Sequence, residues 1–134
     1  MKKVVRVTTK EDIVQIVDYV HDEENDLDNI HFDTAAKTLT LPCQVHLWEE
    51  KRKTKKLLIF SGWEYPIIEA ALVLKNVLKF EINDKAGVGG GLINTIHLKD
   101  NFVTIECTPP AEIKAEVSKF ELELHVTDKL VKWS

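Results

Sequence analysis

Four of the five glycines in the chain stand together at Gly87, Gly89, Gly90 and Gly91, with Lys85 just ahead of them. Successive glycine amides can turn inward to form a nest for an anion, and a neighbouring lysine adds charge of the right sign. The stretch lacks the Gly-Lys-Ser/Thr that leads a phosphate loop into a helix, and it lacks the Gly-x-Gly-x-x-Gly spacing of a dinucleotide site. Leu92 to Leu98, which follows, alternates like a strand. The loop therefore reads first as a connection between strands. Its second reading is a site for phosphate or another small anion at Gly87, Gly89, Gly90, Gly91 and Lys85.

Cys43, His46, His97 and Cys107 are the residue types that bind zinc, but alternation separates them. Cys43 shares a strand face with Val45 and Leu47, His46 the opposite face with Gln44 and Trp48, so a regular strand cannot aim both at one ion. Cys107 falls in line with Val103 and Ile105, and both cysteines read as small core residues. The acidic run Asp22, Glu23, Glu24, Asp26 and Asp28 has calcium-loop spacing at its start, yet Leu27 stands where the turn glycine belongs and Asp33 where the bidentate glutamate belongs. It reads as a polar linker. Five histidines (His21, His31, His46, His97 and His125) occur without a nucleophile elbow, a His-Glu-x-x-His helix or another motif that assigns roles. No catalytic residues, metal or cofactor are expected.

Lys51, Arg52, Lys53, Lys55 and Lys56 flank Thr54 with no aromatic between them, which suits a solvated hairpin tip. The chain as a whole carries a net charge of −4, against the basic excess usual in nucleic-acid-binding domains. No apolar run approaches the length of a membrane span, Arg6 and Lys10 interrupt any signal-like start, and two widely spaced cysteines fit a reducing compartment. The expectation is a cytoplasmic protein that binds neither nucleic acid nor membrane.

The elements that must position these residues follow from periodicity. Thr9 is placed to cap a helix, Glu11 and Asp12 suit its first turn, and Ile13, Ile16, Val17 and Val20 form one stripe, predicting an amphipathic helix from about Lys10 to His21. Beyond it the period is two. Ile30 to Leu41 reads as a hairpin ended by Pro42; Gln44 to Glu50 and Lys55 to Ser61 read as a second; Leu92 to Leu98 and Phe102 to Thr108 form another around Lys99, Asp100 and Asn101; Phe120 to Val126 is the last strand. Segments 67–76 and 111–119 fit either helix or strand. An ungapped match between 66–84 and 110–128, with Val73/Val117, Leu78/Leu122, Phe80/Leu124 and Ile82/Val126 in register, favours strand in both if it is a true repeat.

The predicted architecture is one α+β domain over 1–134: an N-terminal amphipathic helix on a mainly antiparallel sheet of about seven or eight strands, curved or partly closed into a barrel or sandwich. If Glu50 lies opposite Lys55 in the second hairpin, Trp48 faces Leu57 and His46 faces Ile59, leaving both hairpin faces apolar. The side bearing Trp48, Leu57 and Ile59 then needs a cover, from this chain, from a second copy in a homodimer, or from a protein partner. The leading functional reading is a non-catalytic binding or protein-interaction domain; the alternative is a small-ligand or anion-binding domain built on the glycine loop.

Overall fold

The computed structural model describes residues 3–46, 67–84, 87 and 89–130. Within them the chain forms one short helix and ten strands: β1 (Lys3–Val7), α1 (Ile13–Val20), β2 (Glu24–Asp26), β3 (His31–Asp33), β4 (Thr38–His46), β5 (Ile67–Leu74), β6 (Val77–Asn83), β7 (Gly90–Lys99), β8 (Phe102–Thr108), β9 (Ala111–Val117) and β10 (Leu122–Leu130). The class is α+β with antiparallel pairing throughout the sheet, as the period-two pattern predicts. Of the expected second hairpin, Gln44 to His46 belong to β4, while the remainder, with Trp48, Leu57 and Ile59 and the basic run Lys51 to Lys56, lies outside the described residues.

The helix starts later than its sequence suggests. Thr9 has extended backbone but makes no side-chain capping bond, and Lys10–Asp12 close as a single 3-10 turn before regular helix begins at Ile13. Its β-branched residues lower helix propensity, so packing must hold it. Ile13, Ile16 and Val20 are buried while Val14 points to solvent, and the apolar stripe lies against β1, β4 and β7. The amides of Asp22 and Ile93 then donate to Ile93 O and Glu23 O, at 2.8 and 3.0 Å, tying the helix exit to β7.

The strands make a single open sheet in the order β1, β10, β5, β4, β2, β7, β8, β9, β6, with β3 beside the start of β4. Three turns use left-handed residues, Lys37 between β3 and β4, Asn76 between β5 and β6, and Asp100 between β7 and β8. The β3–β4 turn is further fixed by Asp33 Oδ1, which accepts from the amides of Ala35 and Ala36. Pro42 does not end its strand. β4 runs through it, opposite Ala71 of β5; on its other side Pro42 falls between the pairing with β3, which ends at Thr40, and the single rung Asn25↔Cys43 with β2, a gap that makes no demand on the missing N–H.

Only Lys75 and Asn76 join β5, third in the order, to β6, which is last, so the sheet must double over for two residues to span the gap. One buried cluster fills the fold, from Leu39, Leu41, Leu72 and Leu124 on one limb to Ile93, Ile105 and Ile113 on the other. Both ambiguous segments are strands. Ile68, Ala70, Leu72 and Leu74 are buried in alternation, as are Ala111, Ile113, Ala115 and Val117. The internal match has a structural counterpart: β5–β6 and β9–β10 are both strand–corner–strand arches, β5 pairs with β10 and β6 with β9. Their corners bond each other, Lys75 N to Glu121 O at 3.0 Å and Ser118 N to Asn76 O at 2.9 Å.

Two strands exceed the sequence expectation. β1 is short and Arg6 interrupts its apolar run in the sequence, and β2 lies in the acidic run read as a linker. β2 joins the limbs, pairing with β4 at one rung and with β7 through Glu24↔Leu92, Asn25↔Gly91 and Asp26↔Gly90.

Candidate functional site

The glycine cluster is not an open connection. Gly90 and Gly91 belong to β7, and a side chain at either would run into backbone: a Cβ on Gly90 would lie 2.4 Å from Asn25 O, and one on Gly91 2.5 Å from Thr108 O. The amides of Gly87 and Gly89 donate to Asp84 Oδ1 and Oδ2 at 2.9 and 2.8 Å. These two amides thus hold a carboxylate of the same chain. Gly89 O in turn accepts from the amide of Leu27 at 2.9 Å. Lys85 lies outside the described residues.

Cys107 is buried, and Asn25, itself buried, reaches across Gly91 to donate from Nδ2 to Gly91 O at 2.9 Å and Cys107 Sγ at 3.4 Å. Burial pushes the Cys43 thiol up to about 12 and raises that of Cys107. Both thiols are thus poor nucleophiles in the folded chain. In the acidic run, Glu23 and Asn25 turn into the core, while Glu24 and Asp26 line a groove of about 420 Å³ with Gln44 and Glu69. Among the described residues no three His, Cys, Asp or Glu side chains are grouped to hold a metal ion.

A charge cluster covers the outer face where β1, β10 and β5 meet. Arg6 Nε donates to Glu121 Oε2 at 3.0 Å, Lys75 Nζ lies 3.4 Å from Glu121 and 3.2 Å from Glu123, and His125 Nε2 is 2.7 Å from Glu123 Oε1. The Arg6 hydrogen bond holds the Glu121 carboxyl below its ordinary value of 4.5. Burial alone would raise Glu123, but the bonds to His125 and Lys75 outweigh it and the net direction is down. A depressed folded value means that these carboxylates stabilise the fold above the unfolded-state value, and that this contribution is lost as pH falls through the folded one. The melting temperature is expected to fall steeply on acidification below 4.5, with a shallower slope in Glu121→Gln/Glu123→Gln. Equal slopes in pH-dependent melts of the two proteins would show that the cluster does not set acid stability.

The remaining concentration of accessible apolar surface is at the end of the sheet. Among the described residues β6 has one strand neighbour, β9, paired through Lys79↔Glu116, Phe80↔Ala115, Glu81↔Lys114 and Ile82↔Ile113. A bulge at Leu78 precedes this ladder, and the Val77 amide donates to Lys37 O at 2.9 Å, so the free edge begins at Leu78. Leu78 is 50% exposed and Ile82 37%; Phe102, on β8 opposite Glu116, is also 37% exposed. Phe80 is half-buried, its ring 5.1 Å from that of Phe32. On the outer face Lys79 Nζ is 3.4 Å from Glu116 Oε1, and Lys114 Nζ lies 5.1 Å from the Phe102 ring centre. An unpaired edge offers a row of backbone donors and acceptors, and apolar side chains beside it supply the area that makes strand addition favourable.

Sequence periodicity identifies β6 as apolar but cannot place it last in the sheet, because that position depends on pairings between distant segments. The expected interface residues Trp48, Leu57 and Ile59 lie outside the described residues. Among the described residues no helix is long and apolar enough to cross a membrane. No protein-family model matches the chain, and comparison with curated proteins and with solved structures finds no match.

Proposed function

We propose that the protein is a non-catalytic interaction domain that receives a protein partner along the free edge of β6. The observation that carries this reading is the coincidence, on one terminal strand, of an edge unpaired among the described residues with exposed Leu78 and Ile82. Protein docking uses such an edge through main-chain hydrogen bonds, with alternate side chains setting specificity. The glycine loop, by contrast, already holds the carboxylate of Asp84. A cytoplasmic location accords with the free thiols of Cys43 and Cys107, and the acidic balance of the chain suits a protein partner better than a nucleic acid.

The test compares the tagged chain with Leu78→Asp/Ile82→Asp after isolation from the native cell under one set of conditions. Both positions are exposed, so the variant is expected to melt close to the parent. A stoichiometric partner, either another protein or untagged copies of the chain, is expected with the parent and lost with the variant. Equal recovery by both places docking elsewhere, and no stoichiometric partner with the parent overturns the interaction reading.

A further inference from the structure

We propose that the occupant of this edge is β6 of a second copy, added antiparallel about a twofold axis at Phe80, so that two sheets become one. The proposal rests on the docking reading above and goes further by naming the partner and its register. In an antiparallel pair, directly opposite residues share a face, and a twofold axis through the sheet puts a residue opposite its own copy. Centred on Phe80, the register sets Lys79 opposite the partner's Glu81, Glu81 opposite the partner's Lys79, and Leu78 opposite the partner's Ile82.

The neighbouring twofold registers fail on charge. Centring on Lys79 places lysine against lysine, and centring on Glu81 places glutamate against glutamate, both unfavourable directly across a strand pair. The Phe80 register also extends a pattern present within the chain, where Lys79 pairs with Glu116 and Glu81 with Lys114. Across the joined sheet, the outer face reads Glu116, Lys79, the partner's Glu81, the partner's Lys114, alternating in sign at each step; the next row is its mirror. On the other face Phe80 meets its copy and the partner strand covers the exposed Ile82, with Leu78 at the bulge where the row ends. A lysine and a bulge are devices that keep edges from pairing at random. Here the glutamate two residues on gives that lysine a match in one twofold register, which makes the edge selective.

The test is a charge exchange read by light scattering and sedimentation across a concentration series. The parent is expected to dimerise reversibly. Lys79→Glu and Glu81→Lys each turn both symmetry-related pairs repulsive and are expected to weaken the dimer about tenfold or more. Mixing the two single variants restores opposite charges across the edge and is expected to recover a heterodimer near parental affinity, as is the homodimer of Lys79→Glu/Glu81→Lys. The clashes that these substitutions create with Glu116 and Lys114 inside each chain persist in the mixture, so recovery reports only the interface. A parent that stays monomeric at its highest soluble concentration overturns the second copy, while the docking reading is then decided separately by capture of a different protein. A dimer indifferent to both single variants, or weakened by them and not recovered on mixing, overturns the β6 register.

Discussion

Replacing Ile16 with aspartate is expected to unfold the protein at ordinary temperature. Ile16 is fully buried at the centre of the helix stripe, where α1 meets β1, β4 and β7. Removing a buried aliphatic side chain of this size costs about 2–5 kcal/mol through lost transfer energy and the cavity left behind. Forcing a carboxylate into the same space adds the penalty of an unpaired charge or of its protonation. Together these approach the whole stability of an ordinary domain, about 5–15 kcal/mol. Val14→Asp, one residue past the helix start and exposed, is the control and is expected to change stability by no more than about 0.5 kcal/mol. Chemical denaturation of both variants checks the pair, and an Ile16→Asp protein as stable as the control would mean that the helix does not close the core.

Gly90→Ala is expected to destabilise the junction between the two limbs of the sheet. Its backbone needs no left-handed conformation, so the effect is purely one of space. The new Cβ would sit 2.4 Å from Asn25 O, and that oxygen belongs to β2, which is held to β4 by one rung and to β7 by three. Either β2 shifts away from β7 or β7 bends. Overpacking of this kind costs about 1–3 kcal/mol, and here it acts on the strand that joins the two limbs. Amide exchange should show it selectively, with protection lost first at Asn25, Leu27 and Ile93 while the β8–β9 ladder stays protected. Uniform loss, or none, would contradict the joining role of β2.

The helix and the β3–β4 and β7–β8 hairpins were legible in the sequence because each combines a clear period with local turn chemistry, such as Asp33 ahead of Ala35 and Ala36. The segments 67–74 and 111–117 were not, since a short apolar run fits either a buried strand or a buried helix until its neighbours are known. β2 carries no apolar alternation at all; its inward position is filled by Asn25, whose side-chain Nδ2 donates to Gly91 O and Cys107 Sγ, residues far away in the chain. The glycines advertised an anion site, but nothing in local spacing reveals that the amides of Gly87 and Gly89 bond the Asp84 carboxylate. The candidate edge was hardest of all to foresee. Leu78, Phe80 and Ile82 look like any core strand, and only the order of the sheet makes them an edge.

The pairing of β1 with β10 brings residues from opposite ends of the chain into register, Lys3 beside Val126 and Val7 beside Leu122. During synthesis β1 precedes the other strands of this fold and waits until β10, the last of them, is made before it can pair. The helix that follows it is in the same position, because the surfaces of β4 and β7 that cover it are assembled later. Loop-closure entropy rises only slowly with length, so the delay costs little in final stability. It acts on rate, since non-local strand pairing slows folding and leaves apolar segments open while the chain grows. Val4, Val5 and Val7, together with the apolar stripe of α1, are therefore the surface that a nascent-chain chaperone would meet before β10 is made.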